Sequence, residues 1–149
     1  QLFADLMAAA DLDNTYLGYL NDVTAETLAV VNLMSLFGLH RRLRGASVGH
    51  FAATEVTSPP GSRRMAQALK RLGEHEDCRS FYLEHVEADA VHEQVVRTDV
   101  VGDLVAREPQ LDRDVVFGIR AFGAVEDRLA DHLMTCWGEG RSSLRRPLA

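Results

Sequence analysis

Apolar residues recur every three or four positions along this chain, and nowhere do they alternate one by one over a strand's length. That spacing gathers them on one side of an α-helix but scatters them over both faces of a strand. The chain is therefore expected to be all-α, a bundle in which each helix buries a stripe against its neighbours. The pattern runs from about Leu2 to Ala10, is broken by Asp11, Asp13 and Asn14, and resumes over Tyr16 to Leu20. Thr24 is a good cap for a long apolar helix beginning near Ala25. That helix can bend at Gly38, Gly45 or Gly49, and Ser58-Pro59-Pro60-Gly61 is expected to end it near Val56. Ser62 then caps a short helix to Leu72, stopped by Gly73. Further helices are predicted from Asp77 to Arg97, in a shorter piece to Arg107, and from Pro109 to about Trp137 and Gly138. The polar stretch from Gly140 to Ala149 reads as a loose tail. At 149 residues the chain suits a single helical domain spanning 1–149.

Charge narrows the partners. A net charge of −6 argues against broad nucleic-acid binding, which needs a basic footprint. Arg41, Arg42 and Arg44, and then Arg63, Arg64, Lys70 and Arg71, read as solvated helix faces; the first group could instead dock an acidic partner. Cys78 and Cys136 are the only cysteines, with no CxxC pair and no disulfide framework, so a reducing cytoplasm is the natural setting. No apolar run approaches the roughly 20 residues that span a bilayer. Fifteen arginines against the single Lys70 point to a GC-rich bacterial genome. The chain starts at Gln1 rather than Met, with Leu2, Phe3, Leu6 and Met7 already at helical spacing, and is expected to be a C-terminal fragment.

The chemistry concentrates in Glu84-His85-Val86-Glu87-Ala88-Asp89-Ala90-Val91-His92-Glu93. At about 100° per residue, His85, Asp89 and His92 fall within a stripe roughly 60° wide that also holds Phe81, Ala88 and Val96. Glu84, Glu87 and Gln94 take the opposite face. A carboxylate on a buried stripe protonates or finds a cation. Imidazole with carboxylate suits iron, manganese or zinc, and the lack of thiolate disfavours structural zinc. Asp89-x-x-His92 also has the spacing by which carboxylate-bridged di-iron bundles chelate from one helix. Glu55, one turn beyond Phe51 and Ala52, is the best second contributor. None of the other histidines has an acid three residues before it, so a duplicated ferritin-type site is excluded. His50 reads as a core or supporting histidine, His40 as a surface or substrate-side residue, His75 as exposed and His132 as structural.

These stretches, with Phe37 to Ala46, Gly49-His50 through Glu55, and Gly140-Arg141-Ser142-Ser143-Leu144, resemble the iron-containing redox enzymes of the haem-oxygenase-like di-iron oxidase and oxygenase superfamily. The resemblance implies a haem-oxygenase-like helical bundle whose N-terminal helices are missing here. It implies His85, Asp89 and His92 as ligands from one core helix and Glu55 from the preceding one. A further Glu and His would come from an earlier core helix, upstream of Gln1. The expected cofactor is Fe, as two Fe(II), with manganese left open, and the expected reactants are O2 and a small-molecule substrate. No nucleic-acid or membrane partner is expected, and a homodimer is left open. The rival reading is a metal-free haem-oxygenase-like enzyme or binding protein, since fold alone does not settle function.

Overall fold

A computed structural model describes residues 2–147; Gln1 and the last two residues of the expected tail, Leu148 and Ala149, lie outside it. Every regular element among the described residues is helical. They are α1 (Leu2–Ala9), α2 (Ala25–Leu39), α3 (Arg44–Leu72), α4 (Glu76–Val95), a π-helical segment (Val96–Gly102), α5 (Asp103–Arg107) and α6 (Asp112–Gly138), with 3-10 turns at Arg41–Leu43 and Pro109–Leu111. α3 is the spine: α4 packs along one side and α6 along another. α1 lies on α4, through an edge-to-face contact of Phe3 with Phe81, and α2 lies on α6 and α3. Among the described residues, no helix is long and apolar enough to cross a membrane.

Several boundaries depart from the sequence pattern. Residues 15–22 form successive turns instead of a helix, and Leu17 sits at φ 61°, a left-handed value that interrupts helix propagation. The long helix expected from Ala25 is two helices, parted at His40, whose backbone is extended (φ −115°, ψ 105°). Ser58-Pro59-Pro60-Gly61 does not end a helix: α3 continues through both prolines for 29 residues. Each proline removes one helical hydrogen bond, at a cost of about 3 kcal/mol or more. α3 carries this cost because Pro59 is buried and because packing on two sides outweighs local preference. Gly73 does stop α3, at φ 80°, with its N–H directed to the Leu69 and Lys70 carbonyls. The helix predicted to Arg97 leaves the α register at Val96 and widens into the π segment.

Of the glycines expected to bend the chain, Gly38 lies in open space just before the break at His40, whereas Gly45 and Gly49 sit tight against residues 111–115. A Cβ built on Gly49 would lie 1.9 Å from the Val115 carbonyl oxygen, and one built on Gly118 would lie 2.0 Å from the Ala46 oxygen. α3 and α6 therefore cross backbone to backbone. His50 is buried beside that crossing, between the rings of Phe37 (6.0 Å) and Phe122 (5.2 Å), and its Nε2 has no hydrogen-bond partner. The tail folds back on the bundle: the Arg145 N–H donates to the Asp22 carbonyl at 2.7 Å, Arg146 pairs with Asp22, and Trp137 Nε1 donates to Ser143 Oγ at 3.2 Å.

Candidate metal centre

Two helical turns face each other where α3 meets α4. Glu55 and Ser58 are three residues apart on α3, and Asp89 and His92 are three apart on α4, so each pair presents one face. Ligand atoms of Glu55, Asp89 and His92 all lie within 4.8 Å of one another. His92 Nδ1 stands 3.2 Å from Glu55 Oε2 and 3.3 Å from Asp89 Oδ1. Ser58 Oγ donates to Asp89 Oδ2, which fixes that carboxylate and leaves Oδ1 on the His92 side. The Asp89 side chain is 9% exposed and that of Glu55 is 13%, whereas His92 is 55% exposed. The group is thus two sheltered carboxylates under an accessible imidazole.

Two carboxylates so close and so poorly hydrated need positive charge between them. One imidazole nitrogen and two carboxylates, without thiolate, form a donor set that fits iron or manganese. The residues present therefore suit the expected cation.

His85, the fourth residue of the expected set, stands outside this group. Its Nδ1 lies 2.6 Å from the Phe81 carbonyl oxygen, and its ring stacks on Phe81 at 4.2 Å between centroids. Donation from Nδ1–H to that carbonyl would leave Nε2 as the free lone pair, the tautomer that ligating histidines commonly adopt. Tyr82, one turn before, has its phenol pushed up by burial and keeps its proton.

Of the other histidines, His50 is the buried aromatic partner described above, and desolvation lowers its pKa. His40 and His75 are exposed, and His75 caps α4 by accepting from the Asp77 N–H. His132 Nε2 contacts the Ser143 carbonyl at 2.9 Å. Arg41 and Arg42 are exposed, while Arg44 pairs with Glu108.

Two features of the site go beyond the sequence reading. Ser58 was masked by its Pro-Pro neighbours, although its position three residues after Glu55 places it on the same face. The second feature is a cavity of about 220 Å³ beside the donors, lined by Phe51, Glu55, His92, Val95, Val96 and Val100. Its valines span the junction of α4 with the π segment, and π turns recur at functional sites.

The model of the iron-containing redox enzyme family matches residues 1–127, and the chain belongs to that family. Its all-helical architecture is the haem-oxygenase-like one. Searches of the curated proteins and of the solved structures found no match.

Proposed function

We propose that Glu55, Asp89 and His92 hold iron, and that the protein is a non-haem oxidase or oxygenase that uses O2 to oxidise a small molecule. The observation that carries this reading is the convergence of three donors from two helices on one point, with the Asp89 carboxylate buried and held by Ser58. Membership of an iron-containing redox family supports it. Ferrous iron bound there would supply the electrons that O2 takes up. Glu55 and Asp89 would balance the charge of one divalent cation, and the imidazole would have to be neutral to ligate. In the two-iron form of the proposal, His85 Nε2 serves the second metal. The free, buried cysteines suit a cytoplasmic setting.

One observation favours a metal-free alternative. A protonated His92 lies within reach of both carboxylates and could itself supply the missing positive charge. Anaerobic reconstitution with Fe(II), followed by metal analysis, separates the two readings. Wild-type chain is expected to retain iron that Asp89→Asn and His85→Ala lose wholly or in part. Asp89→Asn retaining iron at the wild-type stoichiometry refutes the proposed site.

A further inference from the structure

The cavity beside the donors says what kind of molecule the site can take. Val96, only 2% exposed, is sealed into its wall, while Phe51 (47%) and Val95 (44%) are its more exposed apolar lining residues. Its polar lining is Glu55 and His92, the same two side chains that belong to the donor group. Among the described residues no Lys, Arg, Ser, Thr, Asn or Gln lines it. Arg97 lines a different cavity with Ala52, Ala53, Val56 and Val101, and pairs with Glu93 at 2.8 Å.

We infer that this cavity seats the substrate, and that the part of the substrate lying against Phe51, Val95, Val96 and Val100 is an uncharged hydrocarbon segment or aromatic ring. The inference rests on the metal-site reading above and names the substrate class for it. Charge and size both support it. A carboxylate or phosphate seated among Phe51, Val95, Val96 and Val100 would lose its hydration with no Lys or Arg in the lining to replace it. Four apolar side chains reward contact with carbon instead. An apolar cavity of ~150 Å³ holds benzene, so about 220 Å³ accommodates roughly one ring with a short substituent, or a chain segment of similar bulk. The π segment contributes Val96 and Val100, so substrate size is set by a stretch that supplies no ligand of the donor group.

The test uses toluene and benzoate as probes of one shape, one neutral and one anionic, titrated into the metal-free chain. Methyl signals of Val95, Val96 and Val100 and the ring signals of His92 are followed by NMR. Toluene is expected to shift them saturably, and benzoate to bind about 10-fold more weakly or worse. Filling the cavity by Val100→Phe, or at its more exposed side by Val95→Phe, is expected to weaken toluene about 10-fold. Val91→Phe, on the exposed surface outside the lining, is expected to leave it unchanged. Benzoate matching toluene overturns the inference. So does wild-type toluene affinity in whichever of the two filled variants folds. Because no metal is present, these outcomes are independent of the iron-retention experiment, and either proposal can fail alone.

Discussion

α3 meets its two main neighbours under opposite rules. Toward α6 it presents Gly45, Ala46 and Gly49, and the helices approach until main-chain atoms touch, with no room for even a methyl group. Toward α4, within the next three turns, it presents Glu55 and Ser58, and the contact consists of carboxylates, a hydroxyl and an imidazole, with His92 open to solvent. The first seam gains stability by excluding everything between the helices. The second gathers like charges in a sheltered place, an arrangement that costs stability until a cation fills it. One helix thus separates the seam that holds the fold from the seam that gathers the donor group.

The sharpest way to break this division is at the glycines. Gly49→Ala drives a methyl group into the Val115 carbonyl and is expected to destabilise the fold by about 3 kcal/mol, the upper end of overpacking costs. Gly49→Val should prevent folding. Chemical denaturation reads both, and a Gly49→Ala chain as stable as the wild type would show that the close approach is not structural. The opposite seam should respond in metal affinity. Ser58→Ala frees the Asp89 carboxylate and is expected to weaken iron binding about 10–100-fold, with a smaller loss of stability than Gly49→Ala. Ser58→Thr, which keeps the hydroxyl, should restore affinity in the same titration.

The smallest effect belongs to His50, a titratable group on the structural side. Burial lowers its pKa from 6.5, so the folded chain resists a proton that the unfolded chain accepts. Its contribution is intact above pH 6.5 and shrinks as the pH falls from there through the lowered folded value. Subtracting the pH–stability profile of His50→Phe from that of the wild type should isolate this loss. Superimposable profiles would mean that His50 accepts a proton as readily in the folded chain as in the unfolded one.

Helicity itself was legible because apolar period depends only on local geometry, and the same holds for the Thr24 start and the Gly73 stop. Asp89 and His92 were legible as a pair for the same reason: three residues on one helix always share a face. What stayed hidden depends on partners far along the chain. Gly45 and Gly49 look like hinges until Leu111 to Gly118 arrives against them. Pro59-Pro60 reads as a terminator because the local cost is visible and the packing that offsets it is not. His85 shares the stripe of Asp89, but its Nδ1 is engaged by a carbonyl of its own helix, a choice of rotamer that spacing cannot express. Val95 to Val101 fits either an α or a π register by composition, and so the cavity could not be foreseen.

The clasp between the tail and Asp22 has a spectroscopic consequence. Trp137 is the only tryptophan, more than half exposed, and its indole N–H is held by Ser143. Its emission therefore reports first on whether the residues after Gly140 are docked, and only indirectly on the crossing of α3 with α6. Fluorescence and helical circular dichroism are accordingly two different clocks in this molecule, one set by its last few residues and the other by its spine.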